Sequence, residues 1–166
     1  MNPAITKILD DSAARYLTEG EKKALLDFAE ILPRRLQVSD MIQKMEDSVL
    51  RKTVEMVRAA YPDFFTKYHD MASERGIRDM GHVLRYSVLA MICDDDQLQE
   101  DRLLTWLARI FAGLNFTPEF NREVYTTLRD LIQQQLPEDA YAMMEPYLNT
   151  NIEVLAGIPE PYTPMV

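Results

Sequence analysis

The sequence predicts an all-α protein in one domain. Glycine is scarce, five in 166 residues, and runs of β-branched residues are few, which disfavours strands. Helix start and stop signals recur along the chain. Between them, apolar residues return at three- and four-residue spacing, the period of a helix face.

Thr18-Glu19-Gly20-Glu21 reads as a capping box, in which the Thr hydroxyl and the Glu carboxylate each take a free helix N–H. A helix over 21–32 is expected to follow. Pro33 cannot donate a hydrogen bond to the preceding turn and is expected to stop it. The next helix is expected from Arg35 to Tyr61, with Val38, Met41, Ile42, Met45, Val49, Thr53, Met56 and Ala60 as its buried stripe. Pro62 ends it, and Asp63 caps a shorter helix carrying Phe64, Phe65 and Tyr68. The helix over 77–93 is apolar nearly all round after Val83, as a central helix is. Asp94-Asp95-Asp96 ends it and caps a successor over 98–113, with Gly113 as C-cap. Thr117 and Pro118 form an N-cap followed by proline at the first helical position. That helix reaches about Gln135. Pro137 starts the last helix and Gly157 ends it. Pro159, Pro161 and Pro164 exclude helix from the final segment. The expected organisation is a domain over 1–157 and an extended tail over 158–166.

Composition bounds function. The chain is 47% hydrophobic and 27% charged, as in a globular protein with a sizeable core. The net charge of −9 argues against nucleic acid as a partner, since phosphate binding needs clustered Lys and Arg. One cysteine, Cys93, excludes an intrachain disulfide and a Cys-based zinc site. It suits a reducing compartment, and Cys93 itself reads as a small core residue. Met1-Asn2-Pro3-Ala4 lacks the basic and apolar regions of a signal peptide, and none is expected. No apolar run approaches the roughly 18 residues of a membrane span.

The segment Gly76-Ile77-Arg78-Asp79-Met80-Gly81-His82-Val83-Leu84-Arg85-Tyr86 resembles the pigment-attachment helix of the phycobiliproteins, whose pattern is C-[LI]-R-D-x-x-x-x-L-R-[YM]. Arg78, Asp79, Leu84, Arg85 and Tyr86 stand in register, but Gly76 holds the cysteine position. Further matches run in order along the chain. Asp11 with Arg15-Tyr16-Leu17-Thr18 resembles the family's N-terminal segment. Arg35-Leu36-Gln37-Val38 lies where allophycocyanin β-type chains read L-R-V-R. Leu98, Glu100-Asp101-Arg102, Leu104 and Leu107 fit a later segment, with Gly113-Leu114 near its turn. The resemblance covers about residues 11 to 157 and is nearest the allophycocyanin β type. It implies a globin-like fold, with an N-terminal helical hairpin and a bundle of seven or eight helices around the pigment helix.

In that family the cysteine bonds a linear tetrapyrrole (bilin), cations pair with its propionates, and the Asp three residues on accepts its pyrrole N–H groups. Asp79 and Arg78 are retained here. The upstream arginine pair maps onto Met71-Ala72, an Asn onto Thr66, an aromatic pair onto His82-Val83, and a further aromatic onto Phe111. The resemblance therefore implies no covalent bilin. Arg78 and Asp79 read either as a solvated helix start or as what remains of a noncovalent bilin site.

A second set of retained residues points to assembly. The resemblance implies that the Asp of the N-terminal hairpin in one subunit pairs reciprocally with the Arg of L-R-Y in the other. Here those residues are Asp11 and Arg85, with Tyr16 and Tyr86 beside them. Such a pair sets orientation and specificity more than affinity. Ile5, Ile8 and Leu9 either add apolar contact to that interface or pack on their own domain.

His69 and His82 lack ligand spacing, with haem ligation the rival to ordinary surface or half-buried histidines. The acidic run at Asp94 lacks the glycine and closing Glu of a calcium loop. Trp106 and the ten methionines are expected to fill the core. No nucleophile–base, P-loop or dinucleotide motif is present. The expected function is non-enzymatic: a phycobiliprotein-like chain acting by protein–protein interaction in assembly or regulation of the phycobilisome or photosystem. The partner would be a phycobiliprotein-type subunit or a second copy, on the cytoplasmic side of the thylakoid. The alternative is a noncovalent bilin or haem protein.

Overall fold

Seven α-helices and two short helical turns make up the described part of the chain. This computed structural model describes residues 2–67 and 71–157, without the side chains of Ala13, Lys67 and Met71. Tyr68, His69 and the tail over 158–166 lie outside the described residues.

Helix α1, Pro3–Asp11, is capped by Asn2, whose Oδ1 accepts from the Ala4 amide at 2.8 Å. Ile5 and Ile8 are buried against the domain, while Leu9 is half exposed. A 3₁₀ turn, Ser12–Ala14, leads on to α2. Helix α2, Glu19–Ala60, is 42 residues long, about 60 Å at the helical rise. Its capping box forms as expected: the Glu21 amide donates to Thr18 Oγ1 at 3.3 Å and the Thr18 amide donates to Glu21 Oε2 at 2.7 Å.

Pro33 does not end a helix; it lies inside α2. The two expected helices are one. Pro33 is exposed, as are Ala29 and Glu30 on the turn before it. The carbonyl that loses its amide partner therefore faces water, and the helix survives the loss. On its far side α2 is anchored at once by buried Arg35, Val38 and Ile42.

The buried face of α2 follows the expected stripe through Val49 and Thr53. It then continues along Val54 and Val57, not Met56 and Ala60, which are exposed. Helix α3, Pro62–Lys67, is short and holds Asp63 in its first turn. Helix α4, Met71–Cys93, crosses α2 closely at Gly81: a Cβ there would meet Leu50 Cδ1 at 3.3 Å. Cys93 closes α4 and is only half-buried.

The expected helix over 98–113 has two parts. A π turn, Glu100–Leu104, precedes α5, Thr105–Gly113. Its core face is Leu104, Leu107, Ala108 and Phe111. Trp106 falls on the opposite side and is 62% exposed, so it does not fill the core. Gly113 is the last helical residue and not the cap. The left-handed conformation after α5 falls on Asn115, φ 57°, a residue type that tolerates it.

Helix α6, Pro118–Gln133, begins at the Thr117 cap, whose Oγ1 accepts from the Phe120 amide at 3.2 Å. Helix α7, Glu138–Ala156, starts after Pro137 and ends at Gly157. α6 and α7 pack on each other and on α2 and α4. Val38, Ile42, Leu84, Met91, Leu128, Ile132, Met144, Leu148 and Leu155 form the centre of the core.

Candidate functional site

Two regions gather the residues that the sequence singles out. The first is a cavity between α2, α3, α4, α5 and α6, of about 170 Å3. Gly76 and Asp79 of α4 line it. A Cβ placed on Gly76 would touch only Val54 Cγ2, at 3.8 Å, so the position has room for a side chain.

Phenylalanines fill the space around it. Phe64 of α3 stacks on Phe120 of α6 with centroids 3.9 Å apart. Phe111 of α5 stacks on Phe116 at 5.0 Å. Phe64 meets Phe116 edge-on at 4.9 Å, joining the two stacks. Tyr61 adds an edge-on contact to Phe120 at 5.4 Å. Each such pair contributes about 0.5–1.5 kcal/mol beyond area burial, so the cluster resists being opened. Of these rings, the family resemblance pointed to Phe111 alone. The spacing of Phe64, Phe65, Phe116 and Phe120 was the available signal, but nothing in one sequence says that these segments converge.

Arg78 turns away from the cavity. Its guanidinium pairs with its neighbour Asp79, Nη2 to Oδ1 at 2.9 Å, and its side chain is 63% exposed. Asp79 is half-buried and bridges that surface pair and the cavity wall. Burial, then the Asp79 charge, pushes the Tyr125 phenol upward. Thr66 is exposed and bonds its own helix, Oγ1 to the Pro62 carbonyl. Ala72 lines the cavity, Val83 lies in the core and His82 is exposed. No residue from these positions supplies a cation to the cavity interior; Arg75, on its rim, is exposed.

The second region is the N-terminal hairpin together with the outer face of α4. Asp11 ends α1 and is exposed. Tyr16 is 98% exposed. Between Glu19 and Arg34 no residue of α2 is buried, and Leu26, Ile31 and, just beyond, Leu36 are exposed apolar residues. This stretch of α2 carries exposed apolar residues that the chain itself does not cover. Ile5 and Ile8, by contrast, are used within the domain.

Arg85 and half-buried Tyr86 lie on α4. Arg85 is engaged within the chain: Nη2 and Nε donate to the Glu46 carboxylate at 2.5 and 3.3 Å. Among the described residues no ion pair joins Asp11 to Arg85. Glu46 is a participant that sequence reading missed. So is Arg35, buried in α2, which pairs with Asp94 at 2.5 Å. Asp94 also accepts from the Asn2 side chain at 2.6 Å and takes a left-handed backbone, φ 53°. That contact pins the start of α1 to the end of α4. Next to it, Asp95 caps the following turn through the Gln97 amide.

Among the described residues no helix is long and apolar enough to cross a membrane, and no His, Cys, Asp and Glu group could hold a metal ion. Comparison with known proteins adds the following. The model of the family described as "Phycobilisome protein" matches residues 6–155. The chain is 25% identical over 117 residues to the C-phycocyanin-3 beta subunit of Microchaete diplosiphon, covering 67% of this chain and 68% of that one. It is 22% identical over 121 residues to allophycocyanin subunit beta-18 of Aglaothamnion neglectum, covering 69% and 71%.

Proposed function

Because the chain belongs to the phycobilisome protein family, we propose that it is a phycobiliprotein-like subunit that carries no covalent bilin and acts by docking onto another subunit of that kind or a second copy of itself. The role is non-enzymatic and belongs to assembly or regulation of the light-harvesting apparatus, at the cytoplasmic face of the thylakoid. One observation carries the reading: residues 19–34 of α2 include no buried residue, and Leu26, Ile31 and, just beyond, Leu36 stand exposed on its surface.

Magnitudes say which residues matter. Burying one Leu or Ile side chain contributes about 1.5–3 kcal/mol. An exposed ion pair contributes about 0–1 kcal/mol. The exposed apolar residues of α2 therefore supply the affinity. Asp11 and Arg85, with Tyr16 and Tyr86, set orientation. Arg85 must exchange Glu46 for the partner's carboxylate, or share it, which lowers the net gain from that pair.

The noncovalent bilin alternative has less support. The cavity of about 170 Å3 lies below the roughly 300 Å3 at which pockets for drug-sized ligands begin, and a linear tetrapyrrole is larger still.

Sedimentation velocity of the chain alone, and mixed with purified phycobiliprotein subunits, tests the proposal. Leu26→Asp with Ile31→Asp abolishes association without altering the helical circular dichroism. Asp11→Lys weakens association, and adding Arg85→Glu partly restores it. Association of the Leu26→Asp, Ile31→Asp variant at parental strength would remove the basis of the reading.

A further inference from the structure

The cavity beside Gly76 plays no part in docking through α2, and three of its properties fit one another. The first is size. Its volume of about 170 Å3 is close to the ~150 Å3 at which an apolar protein cavity takes up benzene. The second is shape: Phe111, Phe116 and Phe120, with Val54, Val57 and Ile110, give it flat apolar walls. The third is a polar end. Asp79 Oδ1 is held by Arg78, while Oδ2 receives no hydrogen bond among the described residues. Tyr125 is 3% exposed and lines the same space, and no hydrogen bond among the described residues uses its hydroxyl.

The geometry points to a binding site for one planar aromatic molecule of one or two rings bearing a single N–H or O–H donor. The ring lies against the phenylalanines. The donor reaches Asp79 Oδ2 or the Tyr125 hydroxyl. Burial, with Asp79 nearby, keeps that phenol protonated, so it can accept from the ligand or donate to it.

Indole is the probe, followed by amide NMR of the full chain. Saturable shifts are expected, confined to residues around Val54, Gly76 and Tyr125, with a dissociation constant below about 1 mM. Benzothiophene, the same shape without the N–H, is expected to bind several-fold more weakly. Gly76→Leu projects a side chain into the cavity past Val54 and replaces a helical glycine. It is expected to raise the thermal midpoint, by helix propensity, and to weaken indole at least about tenfold, or 1.4 kcal/mol. If that variant does not fold, Val54→Ile narrows the same wall and should weaken indole by a smaller factor. Four results would each overturn the proposal: shifts that do not saturate up to the solubility of indole, equal binding of benzothiophene, parental indole affinity in the folded cavity-filling variant, or displacement of indole by biliverdin.

Discussion

Glu21 collects four hydrogen bonds at the start of α2. Its carboxylate accepts from Arg15 at 2.7 and 2.9 Å, from the Thr18 amide at 2.7 Å and from the Thr18 hydroxyl at 2.9 Å. Arg15 first, then Thr18, hold this carboxyl down at about 2, against an ordinary 4.5. A carboxyl whose folded pKa lies below its unfolded one stabilises the fold above the unfolded value and ceases to do so as it is protonated. The capping contribution is thus complete above about pH 4.5 and is lost as pH falls toward 2. In an NMR titration, Glu21 is expected to titrate well below the ordinary glutamate value of 4.5. Glu21→Gln should remove that acid transition and speed amide exchange over residues 19–22. The capping box was legible in the sequence because all its members lie within four residues. The Arg35–Asp94 pair was not, because its members lie far apart in the chain and meet only once α2 and α4 pack.

α2 is where sequence reading and structure part most clearly. A proline inside a helix costs about 3 kcal/mol, enough to justify expecting a stop at Pro33. Packing decided otherwise, since the buried face that begins at Arg35 fixes the second half of the helix and the first half continues from it. The cost remains in the folded protein. Pro33→Ala restores one amide donor at an exposed site, so nothing in the core must move. It is expected to raise the thermal midpoint and to slow hydrogen exchange across residues 22–32, measured by mass spectrometry. No change in protection would mean that water already satisfies the freed carbonyl. The same helix shows what periodicity can and cannot give. Val38, Ile42 and Val49 were placed correctly inside, but the stripe drifted at Met56, where a three-or-four choice of spacing has two answers and the structure takes the one through Val54 and Val57.

At the scale of the molecule, the helical class and the order of elements could be read from caps, prolines and glycines alone. The convergence of α3, α5 and α6 on the cavity could not, because burial of Phe64, Phe116 and Phe120 depends on contacts between segments with no shared local signal. The domain also divides unevenly. α2, α4, α6 and α7 hold the core, whereas α1 adds Ile5, Ile8 and the Asn2–Asp94 contact at its edge. A chain lacking residues 1–17 is therefore expected to melt cooperatively with near-full helicity at a lower midpoint, by circular dichroism, and to lose the association that depends on Asp11 and Tyr16. Loss of cooperative melting would place α1 within the core instead.

The stacked rings beside Gly76 act as a ratchet. A thiol at position 76 alone meets no steric barrier, yet it would face two phenylalanine stacks around a cavity of only about 170 Å3. Those rings cannot leave singly either, since each holds another in place. On the proposed reading, a route to a coloured chain would change the nucleophile and several aromatic residues together, and the packing of the interior would oppose a bilin more firmly than the missing sulfur does.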